Sequence, residues 1–274
     1  MNYILVDGGY FVHYRYYSMC TWWRLAKLEG ESDEPFENER FRTKFSDTFS
    51  RALRTLPTKL GLDGEVSTIC MATDCPKKEV WRNEHIELYK GNRKSVPSVR
   101  SAFQLITSEN LLEGEGVSII SADRLEADDC IAIAVEEIRA REPNATIWII
   151  TSDMDYLQLA CDQVKLYDLK FKPLTENKRW HGDPAKDLFC KIVAGDKSDN
   201  IPSVFPRCGP KTAAKYYVDR TEFERKLSEV DGARERYERN TKLVDFRHIP
   251  DELTTGVRKQ IVSFMVHHEP KDEP

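Results

Sequence analysis

The 274-residue sequence holds no apolar run near the roughly 20 residues that a membrane-spanning helix needs, so no transmembrane segment is expected. Its N-terminus enters a strand-like run, Tyr3-Ile4-Leu5-Val6, almost at once, which leaves no room for a signal peptide. An intracellular protein, of cytoplasm or nucleus, is the expectation. Cys20, Cys70, Cys75, Cys130, Cys161, Cys190 and Cys208 form an odd set with no Cys-x-x-Cys pair. Without a Cys/His cluster at ligand spacing there is no structural zinc site to expect, and the cysteines read as reduced, mostly buried thiols. Internal repeats and low-complexity tracts are missing as well. So is an excess of positive charge: 41 Lys and Arg against 46 Asp and Glu leave a net charge of −5, the wrong sign for a protein that meets nucleic acid with its whole surface.

What the sequence does contain is carboxylates in telling places. Asp7, Asp74, the set Glu126, Asp128 and Asp129, the pair Asp153 and Asp155, and the pair Asp196 and Asp199 fall mostly where a strand should end or a helix begin. Any one of them reads equally as a helix cap or a turn residue. Gathered in one pocket, they would repel each other by roughly 1 kcal/mol per pair in water and by several at lower dielectric. Hard divalent cations with oxygen ligands are the natural neutralisers, which points to metal-dependent phosphoryl-transfer chemistry. The charge is also uneven. Residues 77–100 carry seven Lys or Arg against three Glu, a local excess of +4, so an acidic pocket would lie beside a basic strip.

Apolar, β-branched runs recur at Tyr3–Val6, Val66–Met71, Val117–Ile120 and Thr146–Ile150, with a weaker one at Gln163–Tyr167. Between them, Phe41, Phe45, Phe49, Leu53 and Leu56 step at helical spacing along residues 37–56, and Ile131, Val135 and Ile138 continue a helix that starts near Glu126 and ends before Pro143. Strands that alternate with helices predict an α/β fold with a mostly parallel central sheet flanked by helices. Residues 29–38 read as a charged surface loop, and beyond about 180 the pattern is helical with a turn-rich segment at 196–211. The expected domains are therefore an α/β core over 1–180 and a helical subdomain over 181–274. Ligands of open parallel sheets bind beyond the carboxyl ends of the strands, so Asp7, Asp74 and Asp153 should converge on one rim.

Glu126-Ala127-Asp128-Asp129, Thr151-Ser152-Asp153-Met154-Asp155 and Gly195-Asp196-Lys197-Ser198-Asp199-Asn200-Ile201-Pro202 resemble, in order and spacing, the flap endonuclease / 5′-3′ exonuclease family. Tyr89-Lys90-Gly91-Asn92-Arg93 and Lys211-Thr212-Ala213 add to the likeness, which runs from Asp7 to about Tyr217. It is nearest to the short stand-alone enzymes of phages and viruses and to the nuclease domain attached to bacterial DNA polymerase I. The resemblance implies a PIN-like 5′ nuclease core and two-metal hydrolysis of a phosphodiester near a 5′ end or flap of DNA, in replication or repair. Mg²⁺ is the implied cofactor, with Mn²⁺ able to substitute. Asp7, Asp74, Glu126 and Asp128 match positions that hold the first ion. Asp129, Asp153, Asp155, Asp196 and Asp199 match those around the second. Arg82 and Lys90 match the catalytic cations at the base of a helical arch. They lie eight residues apart, about two turns if helical, and would steady charge on the scissile phosphate.

By the same resemblance, residues 77–113 correspond to the arch that admits the 5′ single strand. Tyr89 would stack on a base or pack in the core, while Arg93 and Lys94 would meet phosphates. Residues 190–218 correspond to a helix-three-turn-helix that grips duplex DNA, often with a K⁺ ion, and Gly209, Lys211 and Thr212 would contact the backbone there. The family has a Gly-x-Gly in that turn. Here Val204-Phe205-Pro206-Arg207-Cys208-Gly209-Pro210-Lys211 keeps only Gly209 and is one residue longer, so the K⁺ site is the weakest implication. Trp22-Trp23 lies where related enzymes build a duplex-splitting wedge, with core packing as the other reading. Gln260 opens no sliding-clamp box, because Ser263 and Val266 stand where apolar and aromatic anchors belong. The expected partner is branched or nicked duplex DNA with a 5′ single strand, or an RNA–DNA hybrid, bound by a monomer. The competing readings are a PIN-like ribonuclease and a non-catalytic DNA-junction binder.

Overall fold

The computed structural model describes residues 1–92 and 96–266. Five parallel strands form one sheet: β1 (Asn2–Asp7), β2 (Ser67–Ala72), β3 (Ser118–Ile120), β4 (Thr146–Ile150) and β5 (Val164–Tyr167), in the order β3-β2-β1-β4-β5. All five lie within two residues of the expected apolar runs. Alternation along the central strands sorts their side chains between two cores. Tyr3, Leu5, Ile147 and Ile149 face one of them, with α6 (Ala127–Arg141). Ile4, Val6, Trp148 and Ile150 face the other, with α1 (Gly8–Ala26) and α2 (Glu39–Arg54). Both faces are covered, which is why the strands read as continuous apolar runs rather than as alternating ones.

Phe41, Phe45 and Phe49 of α2 are fully buried and continue as an aromatic row onto Phe11 of α1. The short α3 (Leu56–Lys59) follows at once. Residues 29–38 contain a 3-10 turn, Pro35–Glu37, rather than loop throughout. In the tandem tryptophans, Trp23 is buried edge-on against Phe41, and Arg40 lies over both indoles, so Trp23 takes the core reading.

Two expectations change. Within 77–113 the described residues form a 3-10 turn (Trp81–Glu84), a series of turns to residue 92, and then α4 (Pro97–Ser108) and α5 (Leu111–Gly114). Val99, Ala102 and Ile106 of α4 are buried against α1 and α2, so this half of the expected arch is core. Arg82 and Lys90 are not two turns apart on one helix, because Leu88 and Lys90 take positive φ and break any helical path. Arg93 and Lys94 lie outside the described residues.

The helical part comprises α7 (Pro184–Ala194), α8 (Pro210–Val218), α9 (Arg220–Glu229), α10 (Ala233–Val244) and α11 (Asp251–Val266). The segment from α7 to the start of α10 shares a core built on Phe189, Val193, Val204, Phe205 and Phe223. The last helix does not belong there. Val257, Ile261, Phe264 and Met265 of α11 are buried with α6 and the sheet, so the chain returns to the α/β core that was expected to end at 180. Gln260 fastens it, accepting from the Ser121 N–H at 3.1 Å and donating to the Ser121 carbonyl at 2.8 Å.

Candidate active site

In this strand order the chain first winds from β1 to one edge through β2 and β3, then crosses back to β4, so the topological switch falls between β1 and β4. Asp7 ends β1, and Asp153 follows β4 by three residues. Asp7 caps α1, accepting from the Tyr10 N–H at 3.0 Å, and its other oxygen accepts from Thr151 Oγ1 at 2.9 Å. Gly8 makes this junction feasible, since a Cβ there would collide with the Ala72 carbonyl oxygen of β2. Asp74 sits just beyond β2 and accepts from the Ala127 N–H at 2.8 Å, at the start of α6.

Asp7, Asp74, Glu126, Asp128 and Asp153 line one cleft, together with Tyr10, His13, Lys90 and Tyr156. Among the described residues, five carboxylates therefore face a single ammonium. Enclosure, with the charges of Asp74 and Asp153, pushes the Asp7 carboxyl up to about 7, against its hydrogen bonds to Tyr10 and Thr151. Burial and Asp128 likewise raise Glu126, against the opposing pull of Lys90 and Arg82.

Asp129 goes elsewhere. It is fully buried beneath the cleft, where Arg82 forks onto it with two hydrogen bonds of 2.7 Å, and Trp81 Nε1 and the Glu126 N–H donate at 3.0 and 3.1 Å. It groups with Glu126 and Asp128, because Glu126 caps α6 and the other two lie on its first turn. Arg82 is 2% exposed and also donates to Glu126 at 3.0 Å and to the Leu243 carbonyl at 2.8 Å. It is an internal strut and does not face solvent. Tyr89 is buried as well, donating to Glu126 at 3.0 Å, so its ring presents no face to a base. Lys90 donates to the other Glu126 oxygen at 2.6 Å and lies 3.9 Å from Asp199.

Asp155, Asp196 and Asp199 form the second group, with ligand oxygens within 4.8 Å of one another. Gly195 turns the chain out of α7 at a φ of 70°, where a Cβ would overlap Ile201 and Pro202. The Asp196–Ile201 backbone pair then closes the turn, and Ser198 donates twice to Asp196 at 2.6 Å. Lys191, one turn back on α7, bridges Asp155 at 2.7 Å and Asp196. Burial and Asp153 raise the Asp155 carboxyl despite Lys191. Burial also works on Asp196, but Lys191 and Ser198 outweigh it and hold that carboxyl at about 2.

The donor set is all oxygen, which suits a hard divalent cation. The two groups differ in how much charge is left over. The cleft has five carboxylates and one lysine, whereas the second group already holds Lys191. The residues present thus fit a cation in the cleft first, and Asp153 stands between the groups, on the cleft wall and beside Asp155, whose carboxyl burial and the Asp153 charge together raise.

Lys191, Tyr156, Tyr10 and His13 were invisible as site residues in the sequence. A lysine in the last turn of a helix reads as a dipole partner, and the aromatics read as core. A separate groove between α1, α2 and α3 is lined by Arg15, Arg51, Lys59, Ser18, Thr48 and Thr55. Beside the second acid group, where Pro210 shares a pocket with Asp155 and Lys191, Gly209 caps α8 with an ordinary φ of −98°, and Lys211 and Thr212 are exposed in its first turn. The positive φ in that turn falls instead on Arg207, at 57°.

The chain resembles DNA polymerase I of Mycobacterium leprae, at 30% identity over 174 residues, which is 61% of this chain and 19% of that one. It resembles DNA polymerase I of Mycobacterium tuberculosis at 28% over 208 residues, 73% of this chain and 22% of that one. It thus spans about a fifth of the length of these relatives. The bacteriophage T5 D15 protein, co-crystallised with metal ions, shares the fold at a TM-score of 0.67 and 17% identity, covering 96% of this chain and 99% of that one. The T5 D15 flap endonuclease in a pseudo-enzyme-product complex with DNA and metal ions superimposes equally well, at 0.67 and 18% identity over 96% and 98% of the two chains. Residues 2–186 match the family described as 5′-3′ exonuclease, N-terminal resolvase-like domain, and the chain belongs to it.

Proposed function

We propose that this chain is a structure-specific 5′ nuclease that hydrolyses DNA phosphodiesters near 5′ ends or flaps during replication or repair. The observation that carries the proposal is the convergence of Asp7, Asp74, Glu126, Asp128 and Asp153 on the cleft at the β1/β4 switch, with Lys90 as its one lining cation among the described residues. Mg²⁺, for which Mn²⁺ substitutes, would activate the attacking water and neutralise the leaving oxygen. Asp7, Asp74, Glu126, Asp128 and Asp153 would hold it, and Asp155 and Asp196, which now share Lys191, would hold a second ion with Asp199. Lys90, hydrogen-bonded to Glu126 on the cleft wall, would steady charge on the scissile phosphate. Arg82 acts from below by keeping Asp129 and Glu126 fixed.

Duplex DNA is gripped by the α7–α8 segment through Lys211, Thr212 and the amides that open α8. The turn keeps only Gly209 and puts its positive φ on Arg207, which weakens the case for a K⁺ ion there. The Arg15–Arg51–Lys59 groove, with no carboxylate in its lining, offers a second run of phosphate contacts. Arg93 and Lys94 complete the basic strip, and an RNA–DNA hybrid fits the same surface. No described helix is long and apolar enough to cross a membrane. A monomer acting in cytoplasm or nucleus completes the reading.

The test is cleavage of a 5′-end-labelled flap duplex with Mg²⁺, with Ca²⁺, and by an Asp153→Asn/Asp155→Asn variant. Cutting near the junction that needs Mg²⁺ and vanishes in the variant supports the proposal. Tight binding with no cutting under any metal points to a non-catalytic junction binder, and cutting confined to RNA points to a ribonuclease.

A further inference from the structure

Tyr156 is 1% exposed, with its ring in the core under the 3-10 turn Met154–Leu159 and tilted against Phe246 at 6.1 Å. Its hydroxyl is buried and has no hydrogen-bond partner among the described residues. This would be unremarked at the surface, but Tyr156 lines the same cleft as Asp7, Asp74, Glu126, Asp128 and Asp153. The carboxylates that line the cleft with Tyr156 make no hydrogen bond to its hydroxyl. An unmet buried hydroxyl carries an uncompensated desolvation cost, which a partner that arrives in the cleft recovers.

Resting on the metal-dependent reading above, we propose that Tyr156 is a positioning residue whose hydroxyl hydrogen-bonds a water in the hydration shell of the cation held by the cleft. Hard divalent ions keep several of their waters, and each such water needs fixed partners beyond the ligating carboxylates. The phenol supplies a neutral one, which adds no charge to an already crowded acidic site. Asp7 already accepts from the Tyr10 N–H with one oxygen and from the Thr151 hydroxyl with the other, so its orientation is fixed before a cation arrives.

The experiment compares the full-length chain with Tyr156→Phe, which keeps the ring and removes only the oxygen. Two quantities are read without DNA: the thermal midpoint in chelator, and Mg²⁺ affinity by calorimetric titration. In chelator the variant should melt at the wild-type temperature or above it, because an unmet buried hydroxyl has gone. Its Mg²⁺ affinity should fall about three- to tenfold, the value of one hydrogen bond. A variant that melts lower in chelator has lost a bond made within the protein, and one that binds Mg²⁺ as tightly as wild type has lost nothing at the site. Either result overturns the role given to Tyr156. Wild-type protein that takes up no divalent cation would overturn the nuclease reading together with this inference, so the two failures are distinguishable.

Discussion

Arg82 is the residue on which the acidic cleft depends without belonging to its wall. All three of its nitrogens donate, to Asp129, Glu126 and the Leu243 carbonyl, in a space closed to water. Arg82→Met should destabilise the protein by about 3–5 kcal/mol in urea unfolding, because Asp129 is left as an uncompensated buried charge. Arg82→Lys should recover little, since a point charge cannot reproduce the fork. The acids of the cleft make a second prediction. Asp7 is raised to about 7 from an ordinary 3.8, and Glu126 and Asp155 are raised as well. Between those limits the folded state binds protons that the unfolded state does not, so stability falls as pH rises. Metal-free protein should therefore melt higher at pH 5.5 than at pH 7.5. The gain in melting temperature on adding Mg²⁺ should run the other way, large at pH 7.5 and small at pH 5.5, because protons and cation compete for the same oxygens.

The elements hold the site through two joints. One is the β1–α1 turn, where Gly8 lies against the β2 backbone. The other is the α7 exit, where Gly195 at φ 70° places Asp196 and Asp199 beside Lys191. Gly195→Ala meets both a strained φ and the Ile201–Pro202 backbone, and should lower stability and scatter the second acid group. Arg207 presents the opposite case. It sits at φ 57° with no helix to continue, so Arg207→Gly should raise stability by up to about 1 kcal/mol. Its effect on duplex affinity shows whether the arginine side chain contributes there. Within α2, Phe45→Ala should cost about 3–5 kcal/mol in urea unfolding, since Phe45 is fully buried in the aromatic row that seats α1.

At the scale of the molecule, the chain leaves the α/β core after β5, builds the helical part, and returns as α11 to cover α6. Ending the chain at Asp245 would uncover the apolar face that Val257, Ile261, Phe264 and Met265 occupy. That truncation is expected to give an aggregating or expanded protein, visible as lost near-ultraviolet circular dichroism, rather than a trimmed and active core. Charge is distributed on the same scale. A net −5 coexists with a groove that has Arg15, Arg51 and Lys59 and no carboxylate in its lining. Arg51→Ala/Lys59→Ala should weaken duplex binding and flatten its salt dependence by about 1–2 in log–log slope, measured by fluorescence anisotropy between low and moderate salt.

The strands, the parallel sheet and the acids at strand ends were legible because they depend on local pattern. Buried parallel strands are apolar on both faces, and carboxylates at their carboxyl ends have no structural need to recur so often. The helix of α1 was less legible, since its aromatic residues surround the axis without a clear stripe. What only the tertiary structure decided was the pairing of charges. Asp129 follows Asp128 directly, yet one helical step turns it under the cleft and onto Arg82, while Asp155 joins Lys191 and Asp153 lines the cleft. Lys191 and Tyr156 became site residues through packing across distant elements, for which sequence has no local signature. The return of α11 belongs to the same class: nothing local in its sequence says that Val257, Ile261, Phe264 and Met265 pack with α6 and the sheet.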